Sequence, residues 1–172
     1  FVNLCTDRAE ALAGRLPTLA SSIAQQCGKP LHYAQVTRFA DGETQIIFDN
    51  PDFWRDKHAI ILQTTYPSPH EQILHVAFLA HELKNAGCAN VTTVIPYFGY
   101  SRQEKSHIPG KYGPAYVIAQ LLQHAGINQL ITIEAHTPVL KEFFTIPFNS
   151  VSLIDCITNH IRTHIDLSHG VT

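Results

Sequence analysis

Arg102 and Gln103 stand just past a hydrophobic run, in the stretch Val94-Ile95-Pro96-Tyr97-Phe98-Gly99-Tyr100-Ser101-Arg102-Gln103-Glu104. A strand that runs into such a loop carries these two side chains beyond the sheet edge. In an open parallel α/β sheet ligands bind at the carboxyl ends of strands, and a guanidinium fork placed there is suited to phosphate oxygens. An ordinary surface loop would share this local pattern, but two further stretches favour a site. Arg38-Phe39-Ala40-Asp41-Gly42-Glu43 lies between two β-rich runs, His32 to Thr37 and Thr44 to Phe48. Its Asp41-Gly42 pair is also simple turn chemistry. Ile131-Thr132-Ile133-Glu134-Ala135-His136 is a third strand ending in a residue able to bind a ligand.

The elements that must position these residues alternate along the chain. Phe1 to Cys5 is a short apolar run; Thr6-Asp7 are capping candidates, and Ala9, Leu12, Leu16, Leu19 and Ile23 follow at near-helical spacing, with Pro17 as a disruption. The two β-rich runs around Asp41-Gly42 predict a hairpin or flap projecting from the main sheet. His58 to Gln63 and Val91 to Pro96 predict buried strands, with a helix between them stopped by Gly87. A helix from Ala115 to His124, a strand from Leu130 to Glu134, a short helix from Val139 to Phe144, a strand from Ser150 to Leu153 and a helix from Ile154 to Ile165 complete the series. Such alternation predicts an α/β fold: three αβα layers with a mostly parallel central sheet and a β-hairpin flap. If the strands at 91–96 and 130–134 are parallel neighbours, Arg102, Gln103 and His136 reach the same rim.

In this order and spacing the three stretches resemble the amino-terminal domain of ribose-phosphate pyrophosphokinases, or phosphoribosyl pyrophosphate synthetases. Those proteins read R-F-S-D-G-E, then I-P-Y-F-G-Y-A-R-Q-D, then T-V-D-L-H. The resemblance runs from about Arg38 to Phe148 and implies the type I phosphoribosyltransferase-like fold. It implies that Phe39, Asp41 and Glu43 reach adenine and its amino group, often in a neighbouring subunit's site. Arg102 and Gln103 would hold the triphosphate, with Lys105 as a second cation, and His136 would contact the Mg²⁺ that accompanies ATP. The implied reaction transfers the β,γ-diphosphate of ATP to the 1-hydroxyl of ribose 5-phosphate, giving phosphoribosyl pyrophosphate and AMP. Neither a G-x-x-x-x-G-K-[ST] loop nor a G-x-G-x-x-G turn is present, so an ATP site must be built this other way.

Full-length synthetases are two tandem domains, and their ribose 5-phosphate site and mobile-loop catalytic residues lie in the second. Residues 1–172 therefore read as the single amino-terminal domain, with the second absent, the catalytic groups elsewhere, and the fragment inactive alone. Family members form dimers that build hexamers, so a homo-oligomer is expected. Within the matched region Glu104 and Lys105 replace aspartate and arginine, Glu134 replaces aspartate, and Val139 replaces a glutamine of the allosteric phosphate/ADP site. These departures motivate an alternative, a noncatalytic synthetase-associated regulatory subunit. A type I phosphoribosyltransferase shares the fold but needs a pyrophosphate loop not found here.

Composition excludes other classes. At 172 residues the chain suits one domain with a substantial core, and 45% hydrophobic with 15% charged residues fits a globular protein. A net charge of −2 provides no basic field to hold nucleic acid. No apolar run reaches the roughly 18 residues needed to cross a bilayer, and no charged-then-apolar leader precedes the first strand, so a cytoplasmic location is expected. The chain has no methionine and opens on Phe1, which suggests trimming at one or both ends. Cys5, Cys27, Cys88 and Cys156 form no C-x-x-C pair and are expected to be reduced and mostly buried. His160 and His164 have i, i+4 spacing without a third ligand nearby, and His70, His75 and His81 are expected at the surface.

Overall fold

The apolar runs assemble into one sheet. Its strands are β1 (Val2–Cys5), β2 (His32–Arg38), β3 (Thr44–Phe48), β4 (His58–Leu62), β5 (Asn90–Ile95), β6 (Gln129–Ile133) and β7 (Phe148–Val151), in the order β3-β2-β1-β4-β5-β6-β7. Every neighbouring pair is parallel except β2 and β3. The helices are α1 (Leu19–Gln26), α2 (Pro69–Asn85), α3 (Pro114–His124) and α4 (Ile154–His164), with 3-10 turns at Pro51–Trp54 and Pro138–Phe143. This computed structural model describes residues 1–5 and 19–165; the capping and spacing residues Thr6, Asp7, Ala9, Leu12, Leu16 and Pro17 lie outside them.

The chain leaves β1 for β2 on one side and returns to β4 on the other, so the connection direction reverses between β1 and β4. Right-handed crossovers then put α1 on one face and α2 and α3 on the other, which is the expected three-layer α/β arrangement. The core lies between α2 and the central strands. Ile73, Val76, Leu79, Ala80 and Leu83 of α2 are buried with Ala59 and Ile61 of β4 and Val91 and Ile95 of β5. Pro69 opens α2 at a position where a missing N–H costs nothing, and Gly87, at φ +82°, turns the chain just past its end.

The expected hairpin is present: β2 and β3 pair antiparallel, the base joins the sheet where His32 to Gln35 pair with β1, and the outer rungs have no further strand partner among the described residues. Two expectations need correction. His75 is 1% exposed, because β3 curls against α2 and covers it; Thr44 Oγ1 lies 3.1 Å from its Nε2. Among the cysteines whose side chains are described, Cys88 is buried, whereas Cys27 and Cys156 are exposed, and all three are free. The last helix also differs from the others. No residue of α4 is buried, and Ile154, Ile157 and Ile161 leave an apolar stripe in solvent.

Candidate functional site

The loop after β5 is held in place by a buried hydroxyl. Thr65, fully buried in the loop after β4, donates to the Tyr97 carbonyl at 2.6 Å and accepts from the Gly99 N–H at 2.7 Å. A Cβ on Gly99 would stand 2.6 Å from Pro69 Cβ and 3.0 Å from Thr65 Oγ1, so only glycine allows this approach. Tyr100 then turns the chain at φ +66°, and Gln103 N–H closes the turn on the Tyr100 carbonyl at 2.8 Å. Further along, Gly113 N–H donates to the Glu104 carbonyl at 2.9 Å, and Ala115 N–H to the Gln103 carbonyl at 3.2 Å. A Cβ on Gly113 would collide with the carbonyl oxygens of Gln103 and Lys105. The backbone of Arg102 and Gln103 is thus fixed from both sides.

Both side chains line an open cleft of about 300 Å³ together with Pro69, Tyr97 and Tyr100. This is at the small end of ligand clefts, about 300–1,000 Å³. Arg102 is exposed, and among the described residues its guanidinium has no ion-pair or hydrogen-bond partner. An arginine that is fixed at the backbone and unpaired at its head can take a bidentate anion without first breaking an internal bond. Lys105 is exposed on the same loop, in an antiparallel bridge with Tyr112, but is not among the residues that line the cleft.

The Phe39–Glu43 loop has its own turn. Phe39 N–H donates to the Glu43 carbonyl at 2.8 Å, Gly42 N–H to the Phe39 carbonyl at 3.0 Å, and Glu43 N–H to Asp41 Oδ1 at 3.1 Å. Gly42 supplies the positive φ of +93° that the turn requires. One oxygen of Asp41 therefore serves the turn. Phe39 is 50% exposed, Asp41 and Glu43 are exposed, and none of the three lines the Arg102 cleft of their own chain.

His136 follows β6, at the same end of the sheet as the Arg102 loop, and is exposed. The rim shared by parallel neighbours is present, because β5 and β6 pair in register from Thr92 with Gln129 to Ile95 with Thr132. Glu134 does not face His136 as a partner. Its Oε1 accepts from Leu153 N–H at 2.6 Å and Ser152 Oγ at 2.8 Å, bonds that hold its carboxyl below the ordinary value of 4.5. It anchors the entry to α4. Among the described residues no three His, Cys, Asp or Glu side chains gather into a metal cage. Mg²⁺ takes mainly oxygen ligands and retains water, so His136 could fill one position of a shell otherwise made of phosphate and water oxygens. His160 and His164 stack at 4.3 Å, with His164 Nδ1 3.0 Å from the His160 carbonyl oxygen.

Sequence patterning missed Thr65, since nothing in Gln63-Thr64-Thr65 marks which hydroxyl turns inward. The glycines of the loop were visible, but their steric role was not.

Residues 13–126 match the family model described as the N-terminal domain of ribose phosphate pyrophosphokinase. The chain belongs to this family. It is 34% identical over 148 residues to the ribose-phosphate pyrophosphokinase of Methanobrevibacter smithii, covering 86% of this chain and 49% of that protein. It is 32% identical over 148 residues to that of Burkholderia pseudomallei, covering 85% and 46%. The crystal structure of phosphoribosylpyrophosphate synthetase from Mycobacterium smegmatis superposes with a TM-score of 0.79 at 23% identity, over 95% of this chain and 51% of that one; this likeness establishes the fold. The chain spans about half the length of the curated relatives it matches. Arg38, Arg102 and Gln103 fall inside the segment matched to the ribose-phosphate pyrophosphokinase family, and His136 lies beyond it. No helix among the described residues is long and apolar enough to cross a membrane.

Proposed function

We propose that this chain is the ATP-binding half of a ribose-phosphate pyrophosphokinase, which moves a diphosphate from ATP to ribose 5-phosphate to give phosphoribosyl pyrophosphate and AMP. The observation that carries this reading is the unpaired guanidinium of Arg102 beside Gln103, on a backbone that Gly99 and Gly113 keep from yielding. Phosphoryl-type transfer is chiefly alignment plus neutralisation of charge on phosphate oxygens, so rigid donors at the triphosphate are what the reaction needs.

In this reading Arg102 and Gln103 bind and orient the triphosphate, and Lys105 adds a second positive charge from the same loop. Phe39 stacks on adenine while Asp41 and Glu43 accept from its amino group. Their absence from their own chain's cleft fits delivery to a neighbouring copy, in homo-oligomers of dimers that build a hexamer. Magnesium arriving on the nucleotide would neutralise phosphate charge when bound, with His136 as its one contact from this chain. Ribose 5-phosphate and the catalytic groups belong to a second domain, and the protein works in the cytoplasm.

Calorimetric titration of the 172-residue chain with Mg·ATP tests the proposal, alongside an AMP-release assay with ribose 5-phosphate. Weak binding that Arg102→Ala lowers by about 10- to 100-fold, without turnover, is expected. Ribose 5-phosphate-dependent AMP release from this chain alone, or ATP affinity indifferent to Arg102→Ala, would overturn it.

A further inference from the structure

Among the described residues the outer end of the β2–β3 hairpin has no further sheet neighbour. Beyond Gln35, the partner of Cys5, residues Val36 to Arg38 pair only with Ile46 to Thr44 of β3 among the described residues. The last rung, Arg38 opposite Thr44, immediately precedes the Phe39–Glu43 loop. Both members of that rung are tied to α2. Arg38 Nη2 donates to Glu71 Oε1, and Thr44 Oγ1 lies 3.1 Å from His75 Nε2. Glu71 and His75 are four residues apart, so one face of α2 receives the whole rung. Two residues before Glu71, at the start of this helix, Pro69 lines the Arg102 cleft and abuts Gly99.

We propose that His75 and Glu71 are positioning residues: a two-point clasp on the terminal rung that fixes where the Phe39–Glu43 loop stands relative to the cleft wall. Its functional meaning rests on the nucleotide role of that loop, while its geometry does not. The side chain chosen at position 75 supports the assignment. Neighbouring buried positions on α2 are filled by Ile73, Val76 and Leu79, yet here an imidazole is 1% exposed with its Nδ1 buried and unpartnered. An orphaned ring nitrogen is unfavourable in a core, and it is retained where Nε2 reaches the hairpin.

The same geometry makes the clasp sensitive to protons. Burial holds the His75 pKa below its ordinary 6.5; the Glu71 carboxylate raises it in part and Arg38 lowers it again. A protonated ring would aim a second N–H at a place without an acceptor and put a positive charge near Arg38. Since the folded-state value is depressed, the clasp is at full strength above about pH 6.5 and weakens as pH falls toward that lower value.

Hydrogen exchange of the 172-residue chain without nucleotide tests this, read at the amides of Phe39, Gly42 and Glu43 and corrected for the intrinsic effect of pH. The wild-type loop is expected to exchange several-fold faster at pH 5.5 than at pH 7. His75→Ala is expected to be fast at both, whereas His75→Gln, which keeps an N–H for Thr44 but does not titrate, stays protected at both. Thr44→Val provides the same loosening if the His75→Ala chain fails to fold. Unchanged loop protection in Thr44→Val, or His75→Gln retaining the wild-type pH dependence, would overturn the clasp. A loosened loop with unaltered Mg·ATP affinity in the full-length oligomer would leave the clasp standing and remove the loop from nucleotide recognition.

Discussion

The loop after β5 and the loop between β2 and β3 carry the two halves of the candidate site and are built on opposite principles. The first is locked by its backbone: Thr65 pins it, and Gly99 and Gly113 let main chain press on main chain where no side chain would fit. The second is a self-contained turn at the end of a hairpin, tied at its last rung by two side-chain contacts. Anion recognition needs donors that do not move, because every adjustment costs part of the binding free energy. A base can be met by an aromatic face from a range of positions, so a loop held only at its root is sufficient. On the proposed reading, the contrast puts rigidity in the loop that would meet the phosphates and leaves freedom in the one that would meet the base.

Substitutions can break or sharpen that contrast. Gly113→Ala should do the greatest damage, because the added methyl forces the Gln103 and Lys105 carbonyls apart. Overpacking of this kind costs about 1–3 kcal/mol, and Mg·ATP binding should vanish with it, as read by urea unfolding and calorimetry. Arg102→Ala should instead weaken ATP by about 10- to 100-fold, the worth of roughly 1.5–3 kcal/mol for hydrogen bonds to a charged group. Its unfolding free energy should stay within about 0.5 kcal/mol of wild type, as for most surface changes. A stability loss as large as that of Gly113→Ala would mean that Arg102 is structural.

Phe39→Ala should be milder, a loss of only a few-fold in affinity for about 0.5–1.5 kcal/mol of ring stacking. The effect should be visible only in the full-length protein at concentrations where copies associate, which a dilution series of ATP affinity would detect. The smallest effect belongs to Glu134→Gln. The Glu134 carboxyl is held below its ordinary 4.5, so its contribution is present above that pH and is lost as pH falls through the depressed value. Glu134→Gln should accordingly be slightly less stable than wild type at pH 7, with the difference closing as pH falls below about 4.5 and a shallower acid limb there, as read by unfolding across pH.

Much of this architecture was legible in the residues. Hydrophobic runs such as Val91 to Pro96 place the buried strands within a residue or two, and Gly87 marks the end of α2 where a left-handed residue is required. The Arg102 loop announced itself by a strand that turns polar. His75 escaped because helical spacing gives a residue's direction along its own axis, not which distant strand curls over to cover it. Thr65 escaped for a related reason, since two adjacent threonines differ only in which one the tertiary structure turns inward. The separation of Phe39 from its own cleft depends on where a hairpin ends in space, which periodicity does not encode.

The bare isoleucines of α4 carry a practical message for anyone handling this polypeptide. Ile154, Ile157 and Ile161 form a greasy ridge on a helix that shields none of it, a feature that in water invites clumping. Concentrated samples should turn cloudy and light up a hydrophobic dye, and a glutamate at Ile157 should keep them clear.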